Sequence, residues 1–214
     1  EKSQEILFEL NYLIENKKVP QVPMFLDSPL AIRAIAVYKK YSSVYNNKSQ
    51  ALVNSGDDLF NFSGLEYTPT REDSKKINTT PAPKVIMAGS GMCTGGRIPY
   101  HLKFNLGDPK SHLLIVSYQV EGSLGRKLLD GEKEVEIDNT LVKVNAKVSA
   151  LGCYSSHADH PHLVKWVKAI TKPEPKQVFV VHGETEGNQI LADDLRKKLG
   201  SEAIVPELGK KYEI

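Results

Sequence analysis

Twice in this chain an apolar, strand-like run empties into a glycine-rich loop that ends in arginine and opens a helix. Val85-Ile86-Met87-Ala88 leads into Gly89-Ser90-Gly91-Met92-Cys93-Thr94-Gly95-Gly96-Arg97. The run from Ser111 to Tyr118 leads, past Gln119, into Gly122-Ser123-Leu124-Gly125-Arg126. No other feature limits the fold as much. A buried-looking strand turning tightly into a helix is half of a βαβ unit, so it implies mostly parallel α/β layers. It also puts the loops at strand C-terminal ends, where such sheets bind ligands.

The layout suits phosphate. Glycines let the main chain approach an oxyanion, helix N-terminal N–H groups point at it, and an arginine fork adds a two-pronged contact. Ser90, Gly91, Gly95, Gly96 and Arg97 in the first loop, with Gly122, Ser123, Gly125 and Arg126 in the second, are the candidate phosphate-binding residues. Two such loops side by side suggest a polyanion. Tyr118-Gln119 adds an aromatic face and an amide, which suit a base or sugar. The plainer reading of each loop is a tight turn for helix–sheet packing, with no ligand.

Around these loops the pattern stays α/β. Residues 2 to 16 read as an amphipathic helix with an apolar stripe of Ile6, Leu7, Leu10, Leu13 and Ile14, and Val22 to Leu26 as a short strand. Ser28 is a candidate N-cap and Pro29 suits the first helical position, so a helix is expected from about Leu30 to Tyr41. Asp27 reads as a turn residue at that helix start. Residues 42 to 80 are the least regular, with a short helical piece around Glu72 to Ile77. Helices are expected over Ile98 to Leu106 and Gly125 to Leu129. Glu134 to Ile137 and Leu141 to Val144 alternate about Asp138-Asn139 and read as an antiparallel ribbon. Beyond Gly152 come a helix over Pro161 to Ile170, strand Gln177 to Val181, a helix over Gly187 to Leu199, and a closing strand pair, Ala203 to Val205 with Tyr212 to Ile214.

Net charge is only +2, from 28 basic and 26 acidic side chains, so any basic surface must be local. Cys93 and Cys153 have neither metal-type spacing nor a disulfide framework, which fits a reducing cytoplasm. No apolar run approaches the ~18 residues of a membrane span, so no membrane partner is expected. The apolar stripe begins in the first turn with no N-cap before it, as in a chain cut from something longer.

Histidine placement is the sharpest local clue to chemistry. His157 lies in Ser155-Ser156-His157-Ala158-Asp159, directly before a helix, and His182 ends the apolar strand Val178 to Val181. An imidazole at a parallel strand's C-terminal tip can ligate zinc or move protons. A capping or hydrogen-bonded histidine is the competing reading. His160 and His162 read as an exposed first turn, since they lack the helical i, i+4 pairing of zinc ligands. His101 and His112 carry no signal.

Taken in order, these motifs resemble a known family. Val22-Pro23-Met24-Phe25-Leu26-Asp27-Ser28-Pro29-Leu30-Ala31, the two glycine loops, Ser156-His157-Ala158-Asp159 and Val181-His182-Gly183-Glu184 are together similar to the β-CASP branch of the metallo-β-lactamase superfamily. Within it, they are similar to RNA-processing nucleases related to the eukaryotic pre-mRNA 3′-end cleavage factor. The resemblance implies a Rossmann-like β-CASP domain over residues 1–150, N-terminally incomplete. It implies the last strands and helices of an αββα metallo-β-lactamase fold over 151–214. It also implies a zinc-dependent ribonuclease acting on RNA phosphodiesters, with two zinc ions in the complete enzyme. His157 matches a signature histidine that assists proton transfer, His182 matches a zinc ligand, and the two loops with Gln119 line the RNA channel. The family's His-x-His-x-Asp-His zinc motif is absent from this sequence. RNA, a missing N-terminal metallo-β-lactamase half and a homodimer are therefore the expected partners, and the 214 residues alone are expected to be inactive. The alternatives are a catalytically silent RNA-binding or structural subunit and a different hydrolase or small-nucleotide α/β protein.

Overall fold

The computed structural model describes residues 2–154, 157–200 and 202–213. The chain divides into two compact units, Glu1–Ser155 and Ser156–Ile214. Both are mixed α/β with parallel strands and flanking helices.

In the first unit, helix α1 (Lys2–Glu15) is followed by strand β1 (Met24–Asp27) and helix α2 (Pro29–Lys40). Ser28 caps α2 as its sequence suggests: the Oγ accepts the Ala31 N–H at 3.3 Å, and Pro29 occupies the first turn. Residues 42 to 80 hold more structure than their composition shows. Helix α3 (Asn47–Asn54) starts on Asn46, whose Oδ1 accepts the Ser49 N–H at 2.9 Å. Strand β2 (Leu65–Tyr67) is only three residues long, too short to alternate visibly, and exists because β1 pairs with it. Helix α4 (Arg71–Lys76) carries a reciprocal capping box between Thr70 and Asp73.

Strand β3 (Val85–Ala88) completes a parallel sheet of order β2-β1-β3. All four β1 residues are buried, as the central strand of a covered parallel sheet requires. Leu7, Met24, Leu26, Ile35, Leu59, Phe60 and Phe62 form the core here. On α1 the buried positions are Gln4, Leu7 and Asn11, so two of the three are polar. Gln4 is satisfied there, its Nε2 donating to the Ala31 carbonyl at 3.2 Å.

Helix α5 (Ile98–Asn105), strand β4 (His112–Ile115) and helix α6 (Leu124–Leu129) follow. Strands β5 (Glu134–Ile137) and β6 (Thr140–Lys143) form the expected antiparallel ribbon. Asp138 and Asn139 both have positive φ, 47° and 58°, the two-residue turn that matches strand twist. Strand β7 (Lys147–Ala150) then leaves the ribbon and pairs parallel with β4, a long-range partnership that local alternation does not reveal. A second core of Cys93, Leu102, Leu106, Leu124, Leu128, Val135, Ile137 and Val142 lies beneath.

The second unit contains α7 (His160–Lys168), β8 (Gln177–Phe179), α8 (Thr185–Leu199) and β9 (Glu202–Ile204), with β8 and β9 parallel. Val167, Val180, Ala192, Leu195 and Ala203 are its core. The expected final strand is corrected: Tyr212 and Glu213 form no strand, and Ile214 lies outside the described residues. Tyr212 instead packs its ring edge-on against Phe179, centroids 5.5 Å apart. Among the described residues no helix is long and apolar enough to cross a membrane.

Candidate functional site

The glycine loops after β3 and β4 are laced into one structure. Gln119 does the lacing. Its Nε2 donates to the Gly91 carbonyl of the first loop at 2.7 Å and to the Ser117 and Tyr118 carbonyls beside it at 2.9 and 3.0 Å. From the second loop the Gly125 N–H reaches the Met92 carbonyl at 3.3 Å, and the Val120 N–H reaches the Met92 Sδ at 3.4 Å. Gln119 is buried, so it is a clamp and not the exposed RNA-contacting amide its sequence position suggests.

Two glycines owe their identity to this packing. A Cβ on Gly125 would stand 1.7 Å from the Gln119 Oε1, and the residue is buried with its N–H turned to Met92. Gly96, at φ +66°, would place a Cβ 2.7 Å from the Gly89 carbonyl oxygen, so neither its dihedral nor its space admits a side chain. Gly91 lies against Ser117, and Gly95 faces Ser90 within its own loop. Gly122 has open space where a Cβ would be. The Ser90 carbonyl closes its loop by accepting the Cys93 N–H at 3.1 Å.

Arg97 requires the largest correction. Its guanidinium faces inward, not toward an external phosphate. Nη1 donates to Asp27 Oδ1 at 2.5 Å and to the Thr68 carbonyl, and Nη2 to the Pro69 carbonyl at 2.8 Å. Asp27 is fully buried and takes four donors in all. Thr68 Oγ1 at 2.7 Å shares Oδ1 with Arg97; Ser74 Oγ and His101 Nε2, each at 2.6 Å, meet Oδ2. Burial by itself raises the Asp27 pKa, but the donors Ser74, Thr68, His101 and Arg97 outweigh it and hold the carboxyl below its ordinary value. The end of β1, the segment after β2, α4 and the start of α5 therefore meet on one carboxylate. Sequence reasoning treated Asp27 as a turn residue and passed over His101. The available signal was an aspartate ending a buried strand, with arginine and histidine at i and i+4 opening a later helix.

The helix N-termini are likewise satisfied from within. The Ile98 N–H bonds the Gly89 carbonyl at 3.1 Å and Pro99 has no N–H. At α6, Ser123 Oγ accepts the Arg126 N–H at 3.3 Å, so Ser123 is a helix cap. The Arg126 Nε donates to both carboxylate oxygens of Asp130, at 2.9 and 3.0 Å, on the surface. The loops thus present an exposed rim whose shape is set by internal bonds.

In the second unit His157 is exposed and stands two residues before Asp159, the N-cap of α7. His182 is exposed, with φ +65° at the end of the β8 segment. The turn after it is held by Asn188, whose Nδ2 donates to the Gly183 carbonyl at 3.1 Å. His160 and His162 have structural partners: Asp194 on α8 at 2.7 Å and the cap Asp159 at 2.6 Å. Among the described residues no cluster of three or more His, Cys, Asp or Glu could hold a metal ion. A protein zinc site takes three or more protein ligands, so these residues alone do not fit one.

Residues 3–128, which contain both glycine loops, match the family model described as the Beta-Casp domain. Residues 141–206 match the Zn-dependent metallo-hydrolase RNA specificity domain. The chain is 38% identical over 186 residues to the Ribonuclease TTHA0252 of Thermus thermophilus, covering 87% of this chain and 42% of that protein. It is 34% identical over 208 residues to the RNase J-like protein of Methanocaldococcus jannaschii, covering 97% and 47%. It is 31% identical over 204 residues to the transcription termination factor FttA of Methanosarcina mazei, covering 92% and 32%. The chain spans less than half the length of each of these relatives. Because the first match takes in β1 with its buried aspartate and both interlocked loops, more than half of the sequence, this chain belongs to the β-CASP family.

Proposed function

We propose that this chain is part of a zinc-dependent ribonuclease that hydrolyses RNA phosphodiester bonds in RNA processing or decay, and that its own contribution is to hold the RNA and supply two active-site histidines. The observation that carries the reading is the fusion of the two glycine loops into one exposed rim at strand C-terminal ends, where α/β sheets bind ligands. The match to a metallo-hydrolase RNA specificity domain and the relatives named as ribonucleases support RNA as the polyanion. Residues 1–150 are read as the β-CASP domain and 151–214 as the C-terminal part of the metallo-β-lactamase domain. A cytoplasmic setting agrees with the two free thiols.

Within this reading Ser90, Gly91, Gly95, Gly96, Gly122 and Ser123 form the surface along which the ribose-phosphate strand lies, and Arg126 supplies charge. Arg97, Gln119 and Gly125 act from beneath by holding that surface in shape. His157 donates a proton to, or hydrogen-bonds, an oxygen of the scissile phosphate. Its exposure at a helix entry supports access to a substrate. His182 is assigned as one zinc ligand of a two-ion centre. A left-handed histidine whose following turn is fastened to a helix is a constrained position of the kind functional sites retain.

In the complete enzyme, His157→Ala is expected to lower the cleavage rate of labelled RNA by roughly 10²- to 10⁴-fold, with RNA affinity little changed. An unchanged rate would remove the role assigned to His157. The 214-residue chain should bind single-stranded RNA with an affinity that falls as salt rises, in proportion to the phosphates neutralised.

A further inference from the structure

We propose that Tyr118 is a base-stacking platform that takes the face of one nucleobase of a bound RNA strand, a contact that tolerates any base. The inference rests on the reading of the glycine rim as an RNA surface. Tyr118 follows a strand that ends in buried Ile115, yet it is 60% exposed. The main chain beneath it is immobilised. Gln119 donates to the carbonyls of Tyr118 and of Ser117, and its third bond ties both to Gly91 of the neighbouring loop. Two residues on, the Val120 N–H is held by Met92. A Tyr side chain has only two free torsions, so a ring carried on pinned backbone loses little conformational freedom when a flat partner settles on it.

The surroundings favour a base over other partners. Gly91 and Gly122 in the two loops carry no side chain, and Gly122 faces open space. An exposed aromatic face suits the flat, uncharged part of a nucleotide. Stacking needs only the π-face that every base has, which matches a channel that must pass different sequences.

The test uses the whole chain and two labelled oligomers of about ten units, single-stranded oligoadenylate and an abasic ribose-phosphate strand of equal length and charge. Fluorescence anisotropy at several salt concentrations gives the affinities. The wild-type chain should prefer oligoadenylate. Tyr118→Leu should lose about five- to 150-fold in affinity for it and leave the abasic strand nearly unaffected, whereas Tyr118→Trp should restore the preference. If wild type and Tyr118→Leu bind both oligomers alike, with normal salt dependence, the stacking role is overturned while the RNA surface stands. If neither oligomer binds in a salt-dependent way, both readings fall. Because Tyr118 is exposed, far-UV circular dichroism should show the same fold for all three proteins.

Discussion

Replacing Asp27 by Asn changes one atom in the most heavily shared group of the first unit. At the Oδ1 position an amide oxygen could still accept from Thr68 and Arg97. At the Oδ2 position the new NH₂ group would face two donors, Ser74 Oγ and His101 Nε2. The serine hydroxyl can rotate to accept. His101 can accept only by moving its proton to Nδ1, which is buried and has no partner among the described residues, at a cost of about 1–3 kcal/mol for the unmet donor. The larger effect is electrostatic. Arg97, whose side chain is 16% exposed, would lose its counter-ion, and breaking a buried pair from one side costs about 3–5 kcal/mol. These costs overlap, so the expected loss is about 3–5 kcal/mol, equivalent to roughly 6–20 °C in melting temperature for a unit of this size. Urea unfolding at pH 7, followed by circular dichroism, reads it as a lower midpoint with an unchanged slope. The exposed pair Lys39–Asp58 is the control: at 2.5 Å but with side chains 46% and 40% exposed, its removal by Asp58→Asn should cost under about 1 kcal/mol. A loss for Asp27→Asn no larger than that of the control would refute the account of Asp27 as the node joining β1, α4 and α5.

Two further outcomes follow from the same contacts. The folded Asp27 pKa is depressed, so its contribution is fully present above the unfolded carboxyl value of about 3.9 and is lost as pH falls through the lower folded value. Urea midpoints from pH 7 down to about pH 3 should therefore fall in wild type, and in Asp27→Asn the fall should be shallower; parallel curves would refute this. Gly125→Ala should destabilise the loops by about 1–3 kcal/mol, because its methyl meets the Gln119 Oε1. Adding Gln119→Ala should cancel the clash, and strict additivity in that double-mutant cycle would show that the two residues do not interact.

The parts of this protein that are written locally are legible in its residues. The Ser28-Pro29 helix start, the ribbon about Asp138-Asn139 and the two strand–glycine–helix units need only near neighbours, and they form as their composition implies. Strands β2 and β7 were not legible. Each is three or four residues long and owes its existence to a parallel partner about forty or thirty-five positions away, which no local periodicity encodes. The same division runs through the candidate site. Composition identifies arginine, glutamine and glycine as fit for phosphate or base, because it reports what a side chain can bond. Which way Arg97 and Gln119 point depends on what the folded chain offers them. A buried carboxylate and a set of main-chain carbonyls claimed both, since a charge or an amide left unmatched in the interior costs more than one left in water. The residues alone therefore determined that the chain would be α/β with glycine loops at strand ends. Only the tertiary structure decided which members of those loops face solvent and which hold the loops together.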